Sequence, residues 1–216
     1  MFLGMGLAFL GVGVFVGVVG KRHAEGHAAM VERLRPLSAA TFDNQQVGAN
    51  ALVVGVVSPR NPVVFRNFVA YVREELDVTT DSDGDRTETW RSDGRETPRL
   101  EIDADGVVMI NNEGYSIGRE HEVWYDEATL GFNSRTRDGS ERYYGLVSGG
   151  PVTAFGTVVE GPKGKELSAK TLFGGTHQEY LAWERDSVAF MSTFGTIFGA
   201  IGLVLSGFGA FFTIRR

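Results

Sequence analysis

Four histidines and one acidic run are the parts of this 216-residue chain whose types and spacing could carry chemistry. His23 and His27 stand four apart, which on a helix puts both imidazoles on one face with Glu25 close by, the beginning of a metal site. Gly26 lies between them and no third ligand is at hand, so the spacing favours a linker. Asp81, Asp83 and Asp85 alternate as in a calcium loop. Gly84 falls where the loop needs its own spacing, and the twelfth position is Ser92 where a glutamate belongs, so a polar turn is expected. His121 sits between Glu120 and Glu122 in a strand-like stretch; a solvated polar residue is the default there and a general base the alternative. No glycine-rich phosphate loop, nucleophile elbow or zinc-protease motif occurs. The chain has no cysteine, which removes disulfides, thiolate zinc sites and cysteine nucleophiles. No catalytic residue, cofactor or metal is assigned.

The elements that would position these residues read mostly as strands. Ala51–Val57 is a short apolar run, and Val63–Val78 contains the stretch Phe68-Val69-Ala70-Tyr71-Val72. The polar turn at Asp81–Asp85 then leads to a hairpin partner at Thr87–Arg91. Arg99–Ile102, Val107–Ile110, Glu122–Tyr125, Val152–Val159 and Leu167–Leu172 are further strands, separated by Gly, Asn, Asp and Pro. Short strands with regular turns suggest a curled antiparallel sheet, a barrel or a sandwich. Met30–Leu34 reads as a short helix that Pro36 ends. Thr176 followed by Glu179 forms a capping-box pattern that opens a helix at about His177.

Apolar residues concentrate at the two ends. Residues 1–20 and 187–214 contain no charge, and each run is long enough for a hydrocarbon core of roughly 30 Å. Lys21-Arg22 follow the first run, where a cleaved signal peptide would have basic residues in front, so a retained anchor is favoured. The fold class expected is therefore two transmembrane α-helices flanking a mainly-β domain with a short N-terminal helix. Residues 1–20 would be the first span, 21–48 a juxtamembrane segment and 49–175 the β-rich domain. A helix over 176–186 would lead into the second span at 187–214, followed by a basic tail at 215–216. Gly13 and Gly17 in the first run, and Gly195, Gly199, Gly202 and Ser206 in the second, recur at helical spacing. That stripe suits packing of the spans on each other or a homo-oligomer, although glycine is also simply common in membrane helices. Tyr180, Trp183, Arg215 and Arg216 are the expected interface anchors.

Charge narrows the partners. All 27 acidic residues and all but two of the 21 basic ones fall within residues 21–186, giving that segment a net charge of −8. This argues against nucleic acid and anionic headgroups as partners of the surface as a whole. Lysine is scarce beside arginine, and an acidic, cysteine-free domain of this kind suits a halophilic microbe.

The order of features resembles the GIDE, or beside-a-membrane, domain of the mitochondrial outer-membrane ubiquitin ligases. Asn50-Ala51-Leu52-Val53-Val54-Gly55-Val56-Val57, then Pro62-Val63-Val64 and Phe68-Val69-Ala70-Tyr71, resemble that family's opening strand, proline-led segment and paired strand. Tyr143-Tyr144-Gly145-Leu146-Val147-Ser148-Gly149-Gly150-Pro151-Val152, leading into Phe155-Gly156-Thr157-Val158, resembles its glycine turn before a strand. The resemblance covers about 150 residues. It implies a β-rich domain between two spans, and a RING beyond them that binds zinc and recruits a conjugating enzyme. A cysteine-free chain cannot build that RING.

Three functions are weighed: a non-enzymatic module that binds a protein or lipid at a membrane surface, a ligase-like component working with a separate RING or ubiquitin-like system, and a hydrolase or metal enzyme. The absence of chemical motifs favours the first, with the bilayer and a protein as partners. The location expected is a two-span cell-membrane protein. Lys21, Arg22, Arg33, Arg35, Lys170 and Arg185 on the domain side favour a cytoplasmic domain, whereas the resemblance implies the non-cytosolic side.

Overall fold

The computed structural model describes residues 20–214; of the side chains beyond Phe190, those of Thr193, Ile197, Ala200, Ile201 and Val204 are included. The chain divides into two units, residues 35–177 and, separately, residues 1–34 with 178–216.

The larger unit is almost wholly β. In chain order it contains β1 (Pro36–Leu37), α2 (Ala39–Phe42), β2 (Asn50–Val57), β3 (Phe68–Thr80), β4 (Arg86–Glu96), β5 (Glu101–Asp103) and β6 (Val107–Met109). It continues with β7 (Ser116–Arg119), β8 (Glu122–Tyr125), β9 (Glu141–Val147), β10 (Pro151–Gly161) and β11 (Gly164–Gly174). The first sheet runs β6-β5-β2-β10-β11-β7, with β1 parallel beside β2; the second runs β4-β3-β9-β8.

The first sheet closes on itself. Ile110, just past β6, bridges Leu167 of β11 in parallel, and the Asn111 N–H donates to Leu167 O at 3.0 Å. The Asn112 side chain continues this seam by bonding both backbone groups of Ala169, at 2.7 and 2.9 Å. Closure removes the free edges that an open sheet of short strands would expose. A bulge between Phe155 and Gly156 accompanies the curl; a Cβ on Gly156 would overlap Ser168 O, so that close strand approach requires glycine.

Both sheets contribute to one apolar core. Val53, Ile110 and Leu167 from the first meet Val69, Ala70 and Leu146 from the second, all fully buried. Each large aliphatic side chain so enclosed stabilises the fold by about 1.5–3 kcal/mol. Tyr115 is buried with them, its phenol donating to Pro98 O at 2.9 Å, and burial pushes its pKa upward. In α2, Ser38 and Thr41 bond reciprocally as a capping box, which seats Phe42 in the core.

The hairpin joining β3 to β4 explains the acidic run. Asp81 Oδ1 accepts from the N–H groups of Asp83 at 3.0 Å and Asp85 at 2.8 Å, while Gly84 takes φ +88°. The aspartate therefore shapes the turn with the oxygen a cation would need.

The smaller unit contains α1 (Lys21–Arg33) and α3 (His177–Ile214). α1 is longer than the expected Met30–Leu34, because Ala24, Glu25, Ala28 and Ala29 are strong helix formers that tolerate Gly26. It ends where Leu34 turns extended, two residues ahead of Pro36. His27 Nε2 lies 3.3 Å from Glu184 Oε1, and Arg185 Nε donates to Glu32 at 2.8 Å.

The two-span fold and the two-span cell-membrane location are corrected here. Among the described residues, no helix is long and apolar enough to cross a membrane. Glu179, Glu184, Arg185 and Asp186 of α3 fall in the stretch expected to lead up to the second span. The first expected span, with Gly13 and Gly17, and the tail Arg215 and Arg216 lie outside the described residues. Gly195, Gly199, Gly202 and Ser206 fall within α3, but their packing is outside the description. Tyr180 is fully buried and its ring stacks on Trp183, with centroids 5.9 Å apart.

Candidate functional site

The second sheet places different chemistry on its two faces. Register puts Tyr71, Arg73, Tyr143 and Trp124 on one face, and Val72, Glu74, Arg142, Tyr144, Val123 and Tyr125 on the other.

Beside a recess of about 230 Å³ lined by Phe65, Tyr71, Arg73, Gly94, Arg95 and Tyr143, the first face is partly covered by packing. Phe65 lies over it, stacked on Tyr143 at 4.5 Å and edge-on to Trp124 at 5.6 Å. Arg66, held at φ +54°, places its guanidinium 4.3 Å from the Trp124 ring centre. Arg73 makes a two-point contact with Asp93 at 2.9 and 2.7 Å, and the Tyr143 hydroxyl donates to Glu141 at 3.0 Å. These ring and ion-pair contacts stabilise the sheet.

The second face holds a recess of about 280 Å³ lined by Glu74, Ile117, Gly118, Glu120, Val123, Arg142 and Tyr144. It lies where β7, the end of the first sheet, comes alongside β9 of the second. Its floor is an ion pair: Arg142 Nε donates to Glu74 Oε2 at 2.7 Å and Nη2 lies 2.6 Å from the same oxygen. The Arg142 guanidinium also sits 4.2 Å from the Trp90 ring centre, and Trp90 meets Tyr125 edge-on at 6.0 Å. Burial works against the Arg142 charge, but hydrogen bonds to Glu74 and Tyr125 outweigh it and raise its pKa. Tyr144 forms one wall. Its phenol is raised first by burial and then by the Glu74 and Glu120 carboxylates. Glu74 is neutralised by Arg142; Glu120 is exposed at the rim and has no ion-pair partner among the described residues.

His121 adjoins this recess and has a different role from that of a base. The Val147 N–H donates to Nδ1 at 3.0 Å, which leaves Nε2 to carry the proton and donate to Pro151 O at 2.7 Å. Both ring nitrogens are thereby used to hold the β9–β10 turn. A Cβ on Gly150 would overlap the imidazole, so glycine is what lets the ring fit. His23 and His27 lie on α1, and among the described residues no group of three or more potential ligands gathers that could hold a metal.

Sequence reasoning weighed His121, named Glu120 only as its neighbour, and missed Glu74, Arg142 and Tyr144 as site residues. The aromatic run in Glu141–Val147 was the available signal for a further strand at that place. No family model, curated protein or solved structure matches the chain.

Proposed function

We propose that residues 35–177 are a non-enzymatic recognition module that seats a basic side chain of a protein partner against Tyr144, between Glu120 and the Glu74–Arg142 pair. The observation that carries this reading is the uncompensated Glu120 carboxylate beside an aromatic wall in a preformed recess. A cation resting on a tyrosine ring contributes about 0.5–2 kcal/mol. Pairing with a carboxylate at the rim strengthens it, so the anchor as a whole is worth roughly 5- to 30-fold in affinity. The acidic charge of the surrounding segment favours basic partners in the same direction. The resemblance of the strand pattern to the GIDE domain supports recognition as the task, since that family's transfer chemistry is carried by a separate RING. Within the recess, Glu74 is held by Arg142, which leaves it unsuited to accept a substrate proton.

The test is titration of the full chain with arginine- and lysine-containing peptides by calorimetry, with glutamate-containing versions as controls. Glu120→Gln keeps the shape and removes the charge. It should weaken the basic peptides about three- to fivefold, as loss of one rim ion pair does, and Tyr144→Leu should weaken them further. Equal binding of basic and acidic peptides, or indifference to both substitutions, would refute the reading.

A further inference from the structure

We infer that the partner segment docks as an extended strand on the free edge of β8, which aims its basic side chain into the recess. This rests on the recognition reading above. β8 ends the second sheet and pairs with β9 alone. The His121 N–H donates to Gly145 O at 2.8 Å and the Asp126 N–H to Glu141 O at 3.0 Å. Counted back from the Asp126 bond, antiparallel alternation turns the backbone of Glu122 and Trp124 toward β9 and the N–H and C=O of Val123 and Tyr125 toward the open edge, with His121 and Glu122 both opposite Gly145. Glu122, Val123 and Tyr125 are exposed.

The opposite edge of the same sheet shows what a guarded edge looks like. β4 carries Arg86, Glu88, Arg91, Asp93, Arg95 and Glu96 along its length. Several are locked in ion pairs, Arg86 with Glu88 at 2.9 Å and Arg91 with Asp77 at 2.6 Å. Alternating charge of this kind disfavours pairing with another chain. β8 has no lysine, arginine or proline, and its second and fourth residues, Val123 and Tyr125, present apolar surface on the recess side.

Charge selects the occupant. Glu120, Glu122, Asp126 and Glu127 flank the edge; of the cations around the recess, Arg142 is engaged with Glu74, Arg66 over Trp124 and Arg119 over Phe173, which leaves Arg95 near Tyr144 as one positive charge against these four carboxylates. An added strand alternates its side chains between faces. A protein segment that alternates basic and β-branched residues therefore lays its basic side chains on the recess face, where their aliphatic stems cover Val123 and Tyr125 and a head group reaches Glu120 and Tyr144, and turns its β-branched residues to the Trp124 face. Strand addition of this type draws affinity from main-chain bonds and specificity from alternate side chains.

The experiment is amide hydrogen exchange on the full chain, with and without an octapeptide alternating valine with arginine, and with its valine–glutamate version. The arginine peptide should slow exchange at Val123 and Tyr125 about tenfold or more, as new ladder bonds do, while Trp124 is slow in both states. Val123→Pro removes an outward N–H and should weaken the peptide about fivefold or more, whereas Val123→Ala should stay within about threefold of wild type. Binding that depends on Glu120 without slowing Val123 and Tyr125 would overturn edge docking and leave the recess reading standing. Slowing at β4 instead would also overturn it, and equal protection by the glutamate peptide would overturn the choice of a basic occupant. If neither peptide binds, both readings fall.

Discussion

Removing the cation at the floor of the recess should destabilise the larger unit far more than removing one at its surface. Arg142→Met keeps the length of the side chain and leaves the Glu74 carboxylate, whose side chain is 14% exposed, without its partner. Breaking a fully buried pair costs about 3–5 kcal/mol. With Arg142 itself 28% exposed, solvent screens part of that, and about 2–3 kcal/mol is expected, including the lost contact with Trp90. The double variant Glu74→Gln with Arg142→Met has no stranded charge and should recover at least about 1 kcal/mol of the loss. Urea unfolding reads this directly in a Trp183→Phe background, where the remaining indoles are Trp90, in contact with Arg142, and Trp124, in the same sheet. Arg86→Met is the surface comparison, since that arginine is 51% exposed, and should cost less than about 0.5 kcal/mol. If Arg142→Met costs no more than Arg86→Met, or the double variant is no better than the single, the pair does not organise the recess.

Three further outcomes follow from the same geometry. Gly145→Ala places a methyl group onto Ala70 O across the β3–β9 pair; overpacking of this kind should cost about 1–3 kcal/mol in the urea midpoint. His121→Ala strips the acceptor from the Val147 N–H and the donor from Pro151 O, with a loss of about 1–3 kcal/mol and faster amide exchange at Val147 as its marker. Asp81→Ala removes two bonds that shape the β3–β4 turn and should cost about 0.5–1.5 kcal/mol, while added calcium should leave the wild-type melting temperature unchanged.

Where a strand buries its own apolar residues, local pattern was enough to find it. Ala51–Val57 stands out as an apolar run and forms β2 over Asn50–Val57, and the Asp81–Asp85 turn marks the hairpin between β3 and β4. Strands held by distant partners were not visible. Ser116–Arg119 has a single aliphatic residue, and it is extended because β11 pairs with it in parallel. Val63–Asn67 looked continuous with β3, yet it leaves the sheet so that Phe65 can cover Tyr143, with Arg66 at φ +54° as the corner. The recess was hidden for a related reason. Glu74 and Arg142 are 68 positions apart, and each alone looks like an ordinary charge on an exposed strand. The uncharged ends were legible as composition, but the two-span fold class read from them is overturned, since no helix among the described residues is long and apolar enough to cross a membrane.

The recess exists because the two sheets solve different problems. The first closes through the Ile110–Leu167 bridge, which leaves β7 as a short strand beyond the seam, attached along the second half of β11. β7 then runs directly into β8 through Arg119, Glu120 and His121, so the chain must pass from one sheet to the other within three residues. His121 pins that crossing to the β9–β10 turn with both of its nitrogens. A side chain placed just before such a fixed corner is held at the rim of whatever gap the crossing leaves, and Glu120 is that side chain. The same corner starts β8, and the Asp126 N–H bond to Glu141 O at its other end sets the phase that turns the backbone of Val123 and Tyr125 toward the open edge and that of Trp124 toward β9. The free carboxylate and the start of the open edge thus meet at one histidine clamp. Loosening it should disturb charge recognition and strand docking together.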